Sequence, residues 1–309
     1  MSRALTAAPA VALAAAVLTG CGAEPAALME PAAPSQDRRR QMEAAIGDCM
    51  KQKGFKYNPD TPPSGQKTDE ESRREAGDYE ALRKHREKYG FGIYTGYAYP
   101  GDKQAGGVDF GKQDPNNPIM MALSRVQLES WRATRDTCYS AAVKKFTGKT
   151  VRSEFDLYEQ AEAAREQVQA RELDGDARLL DLAAEFGDCL KTKGVKVRSL
   201  KPTAVASANE TALREEMYAL GEKQRTDRGV NLPDRIRTLA GEQGDTGSTV
   251  RLMPSLSPGE AMPYLAREVK IALDDLECGR DFYAAFKPRQ RQIYDRVNRE
   301  FGRGDGPAS

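Results

Sequence analysis

The sequence predicts a mainly α fold made of two tandem repeats of a small helical domain, each stapled by one disulfide. Three observations lead there: a stretch written twice, cysteines at equal spacing in both copies, and apolar residues placed at helical intervals. Gly47–Tyr57 reads GDCMKQKGFKY and Gly187–Val197 reads GDCLKTKGVKV. When Gln41–Tyr57 is aligned with Asp181–Val197, eight of seventeen positions are identical and five more are apolar in both. Cys49 recurs as Cys189, Cys138 as Cys278 and Phe146 as Phe286, always 140 residues on. A period that long means repeated domains, not a solenoid of short units.

The elements follow in chain order. Residues 1–20 have a basic start at Arg3 and then an apolar, alanine-rich run to Leu18. This is the plan of a secretory signal peptide. The run ends in Leu18-Thr19-Gly20-Cys21, which resembles the bacterial lipobox; by that resemblance Cys21 is the lipidated first residue of the mature chain. Two acyl chains anchor a protein stably where one does not. Residues 21–36 are rich in Ala and Pro and lack periodicity, as a tether does. Repeat 1 then covers residues 37–175, repeat 2 residues 176–303, and a flexible tail residues 304–309. No segment after the signal has the ~18 continuous apolar residues of a span.

Within each repeat the expected order is a short cysteine helix, a charged helix, a variable loop, a long cysteine helix and a closing helix near 153–172 or 289–301. Met42, Ile46 and Cys49 share one helical face, as do Leu182, Phe186 and Cys189. Trp131, Cys138 and Ala142 line another, matched by Ile271, Cys278 and Phe282. Gly47 and Gly187 sit inside helices, where glycine costs about 1 kcal/mol against alanine, and close approach of another backbone is the expected reason. Gly54 and Gly194 suit helix C-caps. Thr68…Glu71, Ser207…Glu210 and Ser257…Glu260 suit capping boxes at helix starts. The best strand candidate is Gly92–Tyr99.

With Cys21 lipidated, four cysteines remain, the arithmetic of two disulfides in an exported chain. Four cysteines allow three connectivities. The duplication selects Cys49–Cys138 and Cys189–Cys278 if each copy is a unit. Loops of that length give roughly 4–5 kcal/mol in the chain-entropy treatment.

Charge argues against nucleic acid as a partner. With Arg3 set aside, 46 basic side chains face 46 acidic ones, without the basic excess such binding needs. Arg38-Arg39-Arg40, beside the tether, suits anionic lipid headgroups. Catalytic, metal and cofactor signatures are lacking: there is no H-E-x-x-H, G-x-S-x-G or C-x-x-C. His85, the single histidine, lies among charges and reads as a solvated helix residue. Asp69-Glu70-Glu71 reads as a dipole complement at a helix start, and Asp274-Asp275 as solvated surface.

Tyr89–Gly101, YGFGIYTGYAYPG, is the candidate binding loop. Tyr89, Phe91, Tyr94, Tyr97 and Tyr99 alternate with glycines in a chain otherwise poor in aromatics. Tyrosine offers contact area at little entropic cost, and glycine lets a backbone adapt. The alternative is that these rings pack back onto their own helices.

With the lipobox, GDCMKQKGFKYNP and KYGFGI together, the chain resembles exported lipoproteins of an uncharacterised actinobacterial type. Copy two departs at Val195, Val197 and Arg228-Gly229-Val230. The resemblance implies location and cysteine pairing, and no reaction. The expected role is a lipid-anchored extracytoplasmic protein, non-enzymatic, binding or assisting an envelope protein such as a transporter. The alternative is an envelope hydrolase whose carboxylates converge only in the fold.

Overall fold

Each copy begins with a helix that its own sequence stops. In copy one α1 (Ser35–Gln52) ends where Gly54 turns to φ +83°, and in copy two α8 (Ala177–Thr192) ends at Gly194, φ +82°. The Phe55 N–H reaches back to the Met50 carbonyl and the Val195 N–H to that of Leu190, at 2.9 and 3.0 Å. Both ends are thus closed by the same glycine C-cap, with the returning chain folded under the helix. That return explains the internal glycines. A Cβ at Gly47 would meet the side chains of Pro59 and Tyr57, and one at Gly187 would clash with Leu200. Side chains of the returning segment make the approach, in place of the backbone expected from sequence.

The computed structural model describes residues 35–60, 67–102, 104–105, 114–228 and 252–303. Between α1 and α8 lie α2 (Asp69–Glu75), α3 (Tyr79–Tyr89), α4 (Thr95–Ala98), α5 (Asn117–Met121), α6 (Arg125–Thr147) and α7 (Glu154–Glu172). After α8 come α9 (Pro202–Asp227), α10 (Pro258–Cys278) and α11 (Arg280–Glu300). The fold is mainly α, with no strand among the described residues. Capping boxes form at Thr68 and Ser257 as expected, and a third at Ser124 opens α6. Ser207 caps nothing. Pro202 starts α9 five residues earlier, and the Ser207 hydroxyl donates to the Thr203 carbonyl inside the helix at 3.1 Å.

The disulfides are Cys49–Cys138 and Cys189–Cys278, with Cα atoms 5.7 and 5.5 Å apart and an equal separation of 89 residues. The first joins α1 to α6 and the second α8 to α10. The copies diverge after the second cysteine. In copy one α6 runs nine residues past Cys138, whereas in copy two α10 ends at Cys278 and α11 starts at Arg280. The space beside Gly279 is filled by the Tyr283 ring, 2.7 Å from where a Cβ would stand. The closing helix of copy two is therefore longer than expected from sequence and passes through Pro288, whose missing N–H removes one bond without ending it.

The described residues belong to one compact unit, and both copies feed its main core. Ile46, Met50, Trp131 and Val143 come from copy one; Phe186, Leu190, Phe282 and Phe286 come from copy two. Phe186, Phe282, Tyr283 and Phe286 form a chain of rings with centroids 4.9–5.5 Å apart. A second, smaller core joins Ile93, Tyr94 and Ala98 of copy one to Leu213, Met217, Ala261 and Leu265 of copy two. Helix α10 thus packs against α3 and α4 as well as against α8, α9 and α11 of its own copy.

Candidate functional site

The aromatic–glycine segment is assembled from α3 onward. Asp78 caps α3 by accepting the Ala81 N–H at 2.9 Å, and the helix buries Ala81, Leu82, Arg86 and Tyr89. It stops at Gly90, φ +57°, and Gly92 follows at φ +88°. Gly90 presses on the Glu268 side chain so closely that a Cβ would come within 2.7 Å of its Cγ. Only glycine combines that backbone conformation with that approach.

The bent backbone wraps the Glu268 carboxylate. Phe91 and Ile93 donate their N–H groups to Oε1 at 2.7 and 2.9 Å, and Tyr94 donates to Oε2 at 2.9 Å. Donors that a strand would offer to a neighbouring strand are spent on one side chain. The expected strand at Gly92–Tyr99 is therefore a tight turn followed by the short helix α4. Glu268 is fully buried. Burial raises its pKa above the usual carboxylate value, against the pull of the backbone N–H groups of Ile93, Tyr94 and Phe91.

Beneath the turn lies a second buried polar cluster. Arg86 donates to Asp275 Oδ1 at 2.6 Å and to the Ala272 carbonyl at 2.8 Å. The same Asp275 accepts from the Tyr283 hydroxyl at 2.7 Å and from Asn209 Nδ2 at 3.0 Å. The Arg86 guanidinium lies over the rings of Phe91 and Tyr283, 5.0 and 4.9 Å from their centroids. Burial opposes the charge on Arg86, and Asp275 more than restores it, so its pKa is raised. Lys287, nearby, is pushed the other way by burial and then by Arg86. Asp275 is thus a buried ion-pair partner, not the solvated residue expected from sequence; Asp274 beside it does face outward, paired with Lys270 and Lys193.

The five aromatic residues divide by exposure. Tyr89 and Tyr94 are buried, Tyr94 stacked on Tyr264 at 5.1 Å, and Phe91, Tyr97 and Tyr99 are partly open to solvent. Tyr89 donates its hydroxyl to Asp102 at 3.0 Å, where Lys88 also binds at 2.8 Å. Among the described residues the buried Tyr97 hydroxyl has no hydrogen-bond partner. The rim open to a partner is thus Phe91, Tyr97 and Tyr99, on a backbone fixed from below by Glu268. His85 is half-buried, its ring 4.8 Å from that of Tyr89. Burial first, then Arg74 and Arg86, lower its pKa to about 4, so it is not the solvated residue the sequence suggested.

Elsewhere, Arg135, Asp136, Ser153, Glu154, Phe155 and Tyr158 line a shallow groove of about 510 Å³, with Phe155 60% exposed. Among the described residues no three His, Cys, Asp or Glu side chains gather as a metal would need. None of the helices there is long and apolar enough to cross a membrane. Cys21 and the signal lie outside the described residues.

Glu268, Asp275 and Arg86 were missed in the sequence, though a signal existed. Ala261, Leu265, Glu268, Ala272 and Asp275 share one face of α10 at intervals of three and four. Two acids on an apolar stripe mark buried carboxylates that need donors. No protein family, characterised protein or solved structure matches this chain.

Proposed function

We propose that this chain is an exported lipoprotein, held on the extracytoplasmic face of the cell membrane through Cys21. Its role is non-enzymatic: it binds or assists an envelope protein, such as a transporter. The observation that carries the location is the pair of disulfides, one within each copy at the same spacing. Such bonds persist in oxidising compartments outside the cytosol, and the Leu18-Thr19-Gly20-Cys21 run supplies the anchor. The accessory role draws on the partly exposed rim of Phe91, Tyr97 and Tyr99. Its backbone is ordered before any partner arrives, which lowers the entropic cost of binding. The two deepest carboxylates, Glu268 and Asp275, are occupied by protein donors and hold structure together.

The test is expression in a bacterium that processes lipoproteins, followed by mass analysis of the N-terminal peptide and membrane fractionation. The wild type should begin at an acylated Cys21 and sediment with membranes, and Cys21→Ser should accumulate as uncut precursor. A Cys21→Ser chain that is processed and released like any secreted protein would overturn the reading.

A further inference from the structure

We propose that one end of the helical unit is an electrostatic docking face for anionic lipid headgroups, a second membrane contact beside the Cys21 anchor. Three helix ends far apart in sequence converge there: the start of α1 and the finishes of α6 and α11. Arg38 Nη1 donates to the Arg299 carbonyl at 2.8 Å. A Cβ at Gly302 would stand 2.7 Å from Thr147 Cγ2, 3.2 Å from Met42 Sδ and 3.6 Å from Arg38 Cδ. Lys149 pairs with Glu300 and lies over the Phe301 ring at 4.3 Å.

The convergence gathers cations. α1 brings Arg38, Arg39 and Arg40, the end of α6 brings Lys144, Lys145 and Lys149, and the end of α11 brings Arg299 and Arg303. Carboxylates answer Arg39, Lys149 and Arg303 among others: Asp60 meets Arg39 at 3.4 Å, Glu300 meets Lys149, and Glu162 meets Arg303 at 3.5 Å. Among the described residues Lys144, Lys145 and Arg299 have no carboxylate partner, and all three are exposed.

Helix dipoles explain part of this. Lysine and arginine in the last turns of α6 and α11 complement the negative C-terminal ends. The dipole does not account for the three consecutive arginines of α1, which start at the helix's fourth residue, where its influence has faded. Those residues lie at the end to which the N-terminal segment leads. Residues 22–34 span at most about 45 Å even when fully extended. If Cys21 is anchored, this end is tied close to the bilayer, where each basic side chain strengthens attachment to an anionic surface about fivefold. The formal net charge of the whole chain is only +1, so a strong preference for an anionic surface has to come from a local cluster of cations. The choice of a lipid surface as occupant rests on the lipoprotein reading above.

The experiment uses the unlipidated full chain, Cys21→Ser, in sedimentation with vesicles. Vesicles containing phosphatidylglycerol are compared with pure phosphatidylcholine at about 50 mM and 500 mM salt, because the Debye length falls steeply over that range. The leader, with its basic start at Arg3, also favours anionic vesicles, but every variant shares it, so the change in preference between variants reports the charge of this face. We expect at least tenfold tighter binding to the anionic vesicles at low salt, erased at high salt. Lys144→Glu/Lys145→Glu/Arg299→Glu should cut the preference at least fivefold, with a modest drop in the thermal melt because acid now sits at two helix C-termini. If that variant unfolds, Lys144→Gln/Lys145→Gln/Arg299→Gln should still reduce the preference severalfold. Equal binding to both vesicles, a preference undiminished by the triple change in a folded protein, or equal displacement by a soluble polyanion such as duplex DNA would overturn the proposal. Acylation of Cys21, read by mass in the wild type, can succeed or fail independently of this result.

Discussion

Glu268 and Phe91, from different copies of the repeat and 177 residues apart in sequence, are joined by a 2.7 Å hydrogen bond from backbone N–H to carboxylate. With the bonds from Ile93 and Tyr94 it locks the turn of copy one onto α10 of copy two. Position 128, the counterpart of Glu268 at the 140-residue period, is a leucine. The lock therefore runs one way, from the aromatic–glycine turn that only copy one possesses to a carboxylate that only copy two possesses.

Glu268→Ala should leave three backbone donors without their acceptor in a buried turn. Each unmet group costs roughly 1–3 kcal/mol, partly relieved if water enters. The expected loss is about 3 kcal/mol or more in denaturant unfolding, with amide exchange at residues 91–94 accelerated well beyond that of α6. Glu268→Gln keeps one acceptor oxygen and turns an N–H₂ toward the donors, so it should recover less than half of the loss. A variant as stable as wild type, with unchanged exchange at 91–94, would contradict the lock.

The five aromatic residues should separate by the same logic. Tyr94 is 3% exposed and stacked on Tyr264, so Tyr94→Ala should cost about 3–5 kcal/mol, as large-to-small changes of buried aromatics do. Tyr99 is partly exposed, and Tyr99→Ala should cost under about 1 kcal/mol. Partner capture, once a partner is in hand, should be weakened by Tyr97→Ala/Tyr99→Ala without a matching loss of stability. Equal destabilisation by Tyr94→Ala and Tyr99→Ala would show that the ring positions do not differ as described.

Helix identity and cysteine pairing were legible in the sequence because both depend on local or repeated signals. The stripe Met42–Ile46–Cys49 and its counterpart Leu182–Phe186–Cys189 have the helical period. The repeat itself chose the bridges later found at Cys49–Cys138 and Cys189–Cys278. What was not legible is where one copy meets the other. Gly92–Tyr99 carries strand-forming residues, and only the distant Glu268 diverts its donors into a turn. Arg86 carries no local sign of burial, and only Asp275, 189 residues away, meets it inside the fold. Ser207…Glu210 had the letters of a capping box, but Pro202 had already begun that helix.

The two disulfides should respond separately to mutation. Non-reducing peptide mapping should recover Cys49 with Cys138 and Cys189 with Cys278, and no cross-copy link. Removing either pair by double serine substitution should cost about 2–5 kcal/mol. A mapped Cys49–Cys189 peptide, or four free thiols in the exported protein, would rule the pairing out.

Acid should destabilise the fold partly through His85. Its pKa falls from 6.5 to about 4 because it is half-buried and faces Arg74 and Arg86, with Glu70 pulling weakly the other way. The sign follows from proton linkage. Below pH 6.5 the unfolded chain takes a proton that the folded chain refuses, so stability is full above that value and declines as pH falls toward 4. The half-buried Glu43 and the buried Glu268 act oppositely, because their raised pKa values let the folded state take protons first. The total profile is therefore flatter than that of His85 alone, and the variant His85→Gln is needed to isolate it. After allowance for solvent screening of a partly exposed ring, His85 should account for on the order of 1 kcal/mol of the loss between pH 7 and 4.5. Measured across that range, the denaturant midpoint of wild type should fall relative to that of His85→Gln as pH drops. Parallel curves would mean that the imidazole titrates as freely in the folded protein as in the unfolded chain.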